Sequence, residues 1–402
     1  MLARLAREPV DWRYKGLPPG WTGQTPEQIC AGGPELFPAG ALGPVCVLRD
    51  DALTHNLATM ARWCAQHGVQ LAPHGKTHMS PQLAARQLTA GACAITVATI
   101  SQARTYRAFG ASALILANEL VDPAGLHWLA SELNDDPDFD MLCWVDSVRG
   151  VDLMTGALTA AGLRRPLDVC VEVGVTGGRT GCRSGADVDT VARAVVASPH
   201  LRLAGVSGYE GALGHDVSPA GRTPIRAFLS TMRSAVLRLA DDFETDDIVV
   251  TAGGSTHFDL VAEILTGWPE GLAVRTVLRS GCYLTHDDGL YQRTSPLAFT
   301  PALSVWAQVC SIPEPGLALL TMGRRDVAFD QDLPIPRGFP DSTVTKLNDQ
   351  HAFLRPGPTA CLEIGDWVEF GISHPCTVFD KWQMIPVLDA DNRVIDLIHT
   401  FF

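Results

Sequence analysis

The sequence predicts an α/β protein: a (β/α)8 barrel of the TIM type followed by a C-terminal antiparallel β domain. Two textures carry that reading. From about residue 43 to 285, eight short apolar runs alternate with longer helical patterns; beyond residue 300, runs follow one another with only Pro, Gly, Asp and Asn between them. The eight runs are Val69–Ala72, Cys93–Ala98, Ala113–Ala117, Met141–Val145, Leu167–Val173, Leu201–Ser207, Ile248–Ala252 and Val274–Arg279. They are β-branched or Leu/Ala-rich with little polar alternation, as strands buried on both faces are. Helix candidates separate them: Pro81–Leu88, Ser101–Phe109, Pro123–Leu133, Ser147–Ala161, Val188–Ala197 and Thr223–Ala240. Ser80 before Pro81 and Asp122 before Pro123 are expected start signals. Count and length match a closed barrel. A doubly wound open sheet is the rival, because counting strands does not show closure.

In the C-terminal part, Leu303–Cys310, Leu317–Met322, Trp367–Phe370, Met384–Leu388 and Val394–Ile398 read as strands of an antiparallel sheet, with residues 331–343 as a Pro-rich irregular loop. The opening 40 residues are Pro/Gly-rich, and Val45–Leu48 is a strand that can join the C-terminal sheet. The domain boundaries expected are 1–42 for a segment joining the β domain, 43–298 for the barrel and 299–402 for the β domain.

Composition narrows the function. With 31 Lys+Arg against 44 Asp+Glu, the formal net charge is −13, which disfavours partners that present phosphates, whether nucleic acid or an anionic membrane surface. Apolar residues make up 46% and charged residues 19%, a globular balance rather than a disordered one. No apolar run reaches the roughly 18 residues a membrane span needs. Met1–Tyr14 is too charged for a secretory signal. Eleven cysteines are scattered without a short-spaced framework, and Cys143 and Cys170 sit in apolar runs, as expected of reduced thiols in a cytoplasmic protein.

Chemistry concentrates at strand ends, where barrels carry their active sites. Pro73-His74-Gly75-Lys76-Thr77-His78 directly follows the first barrel strand, and the chain has only four lysines, Lys15, Lys76, Lys346 and Lys381. A lysine desolvated among apolar strand ends has an amine available for Schiff-base chemistry. The plain alternative is a solvated loop lysine, with His74 and His78 positioning the loop. After strands seven and eight come Gly253-Gly254-Ser255-Thr256 and Ser280-Gly281-Cys282-Tyr283. Barrels bind phosphate with these two loops, and glycine lets backbone N–H groups approach it. Strand five leads into a Gly-rich segment with Arg179, suited to an anion or a ring nitrogen, and strand six leads to Tyr209. A surface arginine and a buried structural tyrosine are the alternatives. In the β domain, Ser373-His374-Pro375-Cys376 offers an imidazole and a thiol two residues apart. In extended backbone both would point to one side, and both are good zinc ligands. A core histidine beside a buried cysteine is the alternative; if a metal is bound, two protein ligands leave positions open for substrate.

Together the "PHGKTH" segment around Lys76, the "GGST" and "SGCY" turns and the late "SHPC" resemble the D-serine dehydratase-like group of pyridoxal-phosphate enzymes with the alanine racemase fold, across about residues 40–385. That group includes D-threonine aldolase and D-3-hydroxyaspartate dehydratase. The resemblance implies a barrel holding pyridoxal 5'-phosphate on Lys76 and a homodimer with sites near the interface. It places Gly253, Gly254, Ser255, Gly281, Cys282 and Tyr283 in the phosphate-holding loops, and Arg179 and Tyr209 around the cofactor ring. It assigns His374 and Cys376 to a divalent metal beside the cofactor, zinc first and manganese as the alternative. The aldolase branch is expected to carry aspartate at the second metal position, so Cys376 favours the dehydratases and zinc. "LNDQHAFL" departs from the group's usual acidic-Glu-His-Gly version, which leaves His351 without an assigned role.

The implied reaction is β-elimination from a D-3-hydroxy amino acid such as D-serine, giving a 2-oxo acid and ammonia. Retro-aldol cleavage to glycine and an aldehyde is the second reading. A non-catalytic pyridoxal-phosphate-binding protein is the third, and a long metal-bearing C-terminal domain argues against it.

Overall fold

A computed structural model describes all 402 residues. Its contacts divide the chain into two compact units. One, the barrel unit, comprises Ala61–Lys76 and Gln87–Gly281; the other, the β unit, comprises Met1–Met60, Thr77–Arg86 and Cys282–Phe402. The chain therefore passes between them at Lys76–Thr77 and at Gly281–Cys282, as well as at residues 60–61 and 86–87.

The first strand, β1 (Val45–Arg49), belongs to the β unit. The barrel strands are β2 (Gln70–Leu71), β3 (Ile95–Val97), β4 (Ala113–Glu119), β5 (Asp140–Val145), β6 (Leu167–Val173), β7 (Leu201–Gly208), β8 (Ile248–Ala252) and β9 (Val274–Leu278). They form one sheet in the order β2-β9-β8-β7-β6-β5-β4-β3, each neighbouring pair parallel. Its two ends meet: Cys93 N–H donates to Leu71 O at 2.8 Å, Thr96 N–H donates to Pro73 O at 2.9 Å, and His74 bridges Thr96 in parallel. The barrel is closed, which removes the open-sheet rival. Ala72, Ile115, Trp144, Cys170, Val249 and Val277 pack together as an apolar core, the packed interior expected of such a barrel. Surrounding helices start where the sequence signals them. Asp122 accepts from the N–H groups of Ala124 and Gly125, with Pro123 in the first turn, and Ser147 accepts from Gly150 N–H at 3.2 Å. Such caps are each worth about 1 kcal/mol.

Sequence reasoning passed over the 18-residue helix Asp50–His67, which follows β1 directly. No Pro or Gly punctuates that junction; the signal was Ala52, Leu53, Asn56, Leu57, Met60 and Cys64, buried at helical spacing. Asp50 and Asp51 stand in its first turn, where negative charge is favourable.

The β unit is built on a nine-stranded sheet of β1, β10 (Leu303–Glu314), β11 (Leu317–Leu320), β12 (Ile335–Pro336), β13 (Thr343–Leu347), β14 (Ala352–Arg355), β15 (Trp367–Gly371), β16 (Met384–Leu388) and β17 (Val394–His399). β1 pairs antiparallel with β10, Val45 opposite Trp306, and parallel with β16, Leu48 opposite Val387. The C-terminal strands pair antiparallel with one another, as expected; the one parallel pair is made by β1, which arrives from the other end of the chain and is not bound by hairpin connectivity. The Pro/Gly-rich N-terminal segment packs on this sheet through Val10, Leu17, Trp21 and Leu36 against Met384, Val394 and Leu397. No helix is long and apolar enough to cross a membrane.

Candidate active site

At the mouth of the barrel, Lys76 lies in a 3-10 turn, Gly75–Thr77, just beyond β2. The turn is held by Tyr106, whose hydroxyl donates to Gly75 O at 2.8 Å. A Cβ on Gly75 would lie 2.6 Å from the Tyr106 ring, so the close approach requires glycine there. Lys76 is exposed and enters no ion pair. The side chain is therefore not enclosed among the strand ends, where the sequence alone places it. His74 does lie in the interior of this region, and its Nδ1 is buried without a partner. Burial, and then the charges of Lys76, Arg279 and Arg179, hold its pKa well below the ordinary histidine value, so the imidazole is neutral. His78 has a structural place in the β unit, accepting from Ser80 N–H at 3.0 Å with its edge toward Phe379.

Arg179 and Tyr209, from the loops after β6 and β7, come together, the guanidinium 4.5 Å from the ring centroid. They line a small, tight pocket with Glu172, Thr180 and Phe228. The Arg179 loop is gathered by Arg183, which donates to Gly178 O, Arg179 O, Thr180 O and Gly181 O. Arg279, at the end of β9, is buried; it donates to Thr251 Oγ1 and Gly208 O, both at 2.7 Å, and lies over Trp144. Burial pulls its pKa down from the usual arginine value, opposed by Glu210 and Glu172.

The glycine turns differ from the simple phosphate cradle. Glu210, fully buried next to Tyr209, accepts from Gly253 N–H at 2.9 Å and Gly254 N–H at 2.6 Å. A neighbouring carboxylate thus takes the two donors that the sequence reserves for phosphate. Ser255 stays half-buried in the same turn, and Ser280 Oγ donates to Gly253 O and Gly254 O at 3.1 and 3.2 Å. Gly281 is buried beside it and closes the barrel unit.

In the β unit, Tyr283 packs near Phe299, ring centroids 5.9 Å apart. Cys282 directs its thiol at Cys376, Sγ to Sγ 3.5 Å, away from any role for its side chain in holding phosphate. His374 has φ +69° and Cys376 opens a helical turn, Cys376–Phe379, so the extended backbone expected for this pair is replaced by a tight turn. His374 N–H donates to Asp287 Oδ2 at 2.9 Å, and its ring Nδ1 meets Asp330 Oδ2 at 2.5 Å. A carboxylate on one ring nitrogen fixes the tautomer and leaves Nε2 as the ligating atom. As the side chains stand, no three His, Cys, Asp or Glu groups form a closed metal cage. His351 is exposed at the tip between β13 and β14.

Sequence reasoning missed Glu210, Arg279 and Asp330. Arg279 and Glu210 carried a usable signal, a charge at a strand end and an acid in "GYEG". Asp330 carried none, since only the fold brings it to a histidine 44 residues away.

The sequence matches the alanine racemase N-terminal domain over residues 48–262 and a putative serine dehydratase domain over residues 302–388. It is 30% identical over 345 residues to D-threonine aldolase from Arthrobacter sp., covering 85% of this chain and 87% of that protein. It is 26% identical over 381 residues to D-threo-3-hydroxyaspartate dehydratase from Delftia sp. strain HT23, covering 87% and 95%. The structure of D-threonine aldolase from Filomicrobium marinum superposes with a TM-score of 0.80 at 26% identity, covering 89% of this chain and 94% of that one. Both halves of the chain, and not the barrel alone, are thus shared with lyases, which sets aside a cofactor-carrying protein without catalysis. The chain belongs to the alanine racemase-fold family of pyridoxal-phosphate-dependent lyases that contains D-threonine aldolase and D-threo-3-hydroxyaspartate dehydratase.

Proposed function

We propose that this lyase eliminates the β-hydroxyl of D-configured 3-hydroxy amino acids such as D-serine, giving a 2-oxo acid and ammonia, with a divalent metal, zinc before manganese. The observation that carries the reading is the pair His374 and Cys376: an imidazole oriented by Asp330 at 2.5 Å and a sulfur donor two residues on, a soft set suited to zinc. Pyridoxal phosphate fits the residues present. Lys76 is exposed and unpaired, His74 Nδ1 is buried without a partner, and Lys76, Arg179 and Arg279 bring positive charge together in a protein of net charge −13.

When bound, the cofactor supplies an electron sink for the pair left at Cα. The metal supplies a Lewis acid for the departing hydroxyl. Lys76 would hold the cofactor through its amine, and the same amine would serve as the base for the Cα proton. Neutral His74 offers a hydrogen bond there without adding charge. Arg179 and Tyr209 form one wall, and Glu210 keeps the glycine turn in shape. The homodimer implied by the resemblance and the cytoplasmic location expected from the cysteine usage belong to the same proposal.

Aldol cleavage is favoured by one observation, the 30% identity to D-threonine aldolase from Arthrobacter sp.. D-Threonine separates the two readings: 2-oxobutyrate and ammonia are expected, both lost with a chelator, whereas acetaldehyde and glycine would overturn elimination. A visible absorption band abolished by borohydride must accompany either activity.

A further inference from the structure

The side chain of Cys282 stands in the β unit among the groups read as a metal site. Its Sγ is 3.5 Å from Cys376 Sγ. Thr77 Oγ1 lies 3.8 Å from the first sulfur and 3.4 Å from the second, where the Cys376 thiol donates to it. Cys282 is 5% exposed, and Leu290 and Tyr291 pack in the same cluster with Cys376. Thiols are weak donors and weak acceptors, so a bare contact of this kind contributes little.

The spacing matches a metal site. Zinc–sulfur bonds of about 2.3 Å at a tetrahedral angle put two sulfurs about 3.8 Å apart, a few tenths of an ångström from the separation observed. A disulfide needs sulfurs at about 2.05 Å, well over an ångström closer. We infer that Cys282 is a second sulfur ligand of the metal held by Cys376. The inference rests on the metal reading of His374 and Cys376 and deepens it. The two sulfurs and His374 do not surround a common point as the side chains stand; with the His374 ring drawn in on metal binding, the protein ligands number three and one position of a tetrahedral zinc is left for substrate. Two thiolates also shift the preference further from manganese toward zinc. Binding releases the two thiol protons to solvent.

Cobalt(II) is the probe, loaded into the cofactor-bearing protein after removal of its own metal, because sulfur-to-cobalt charge-transfer absorption grows with the number of thiolate bonds. Cys282→Ser and Cys376→Ser should each lose about half of that absorption and the double variant all of it, if both sulfurs ligate the ion. An undiminished band in Cys282→Ser together with its loss in Cys376→Ser overturns Cys282 as a ligand and leaves the metal pair intact. No cobalt or zinc uptake by the unaltered protein overturns the metal reading, and this inference with it. Zinc-edge X-ray absorption on the unaltered protein needs no variant: two sulfurs at about 2.3 Å are expected, and a single one overturns the proposal.

Discussion

Two buried carboxylates, one in each unit, hold the loops that carry the functional groups, and they do so differently. Glu210 in the barrel unit accepts from two adjacent N–H groups, Gly253 and Gly254, in a turn already fixed by the end of β8. Asp287 in the β unit accepts at Oδ1 from Gly289, Tyr291 and Gln292 N–H and at Oδ2 from His374 N–H, 87 residues on. Burial pushes the Asp287 carboxyl up, and those backbone donors oppose it. The barrel places its loops by its strand ends, so Glu210 only trims one turn. The β unit has no such frame around His374, and the loop depends on side chains: Asp287, Asp330, and Ser373, whose hydroxyl donates to Asp332 at 3.0 Å. A site laid on a barrel is positioned by topology; a site laid on irregular loops is positioned by a few buried hydrogen bonds.

The strongest break of that comparison is Lys76→Ala. Turnover should fall by at least about 10²–10⁴-fold, and borohydride should no longer fix the cofactor to the chain. Zinc content should stay unchanged, because the groups around His374 and Cys376 are untouched. Loss of the metal in this variant would show that the two halves are not built separately. Next in size are the carboxylates. Asp287→Ala leaves four N–H groups without their acceptor and should cost about 3–5 kcal/mol by urea unfolding, with weaker zinc retention. Glu210→Ala leaves two and should cost about 2–4 kcal/mol, with weaker cofactor retention and zinc unaffected. Equal losses, or the reverse pairing of cofactor and zinc, would refute the division of labour.

The same contrast explains what was legible in the sequence. All eight barrel strands were visible because buried parallel strands make short apolar runs, and Leu167–Val173 and Ile248–Ala252 fall where the runs do. The position of Lys76 just beyond the first barrel strand was legible for the same reason. Its surroundings were not: Tyr106 reaches Gly75 from 31 residues away, and Glu210 reaches the glycine turn from 43. In the β unit, "HPC" was readable only as a spacing, and the backbone that presents it was misjudged, because a left-handed His374 is stabilised by Asp287 and leaves no local mark. The hairpin of β13 and β14 was missed as well, its exposed Thr343, Thr345 and Lys346 diluting the apolar signal.

Glu210 and Asp287 have donors; a third, half-buried acid does not, and this gives the smallest effect and the sharpest contrast. Glu119 ends β4, and neither of its carboxyl oxygens meets a donor, nor does Oε2 of Glu172 on β6. Burial first, and then the charge of Glu172, push Glu119 from the ordinary 4.5 up to about 8. Between those values the folded protein holds a proton that the unfolded chain has released. Stability is therefore greatest on the acid side of the window and declines as pH rises through it, levelling off above about 8. Glu119→Gln keeps the neutral, protonated-like form at every pH. Discounted for partial exposure, the wild type should lose at least about 1 kcal/mol more than the variant between pH 5.5 and 8.5 in urea unfolding. A constant difference across that range would mean that the pair holds no proton. Glu172 would then need a cationic partner at the barrel mouth, with Arg279, already under its influence, the first to test.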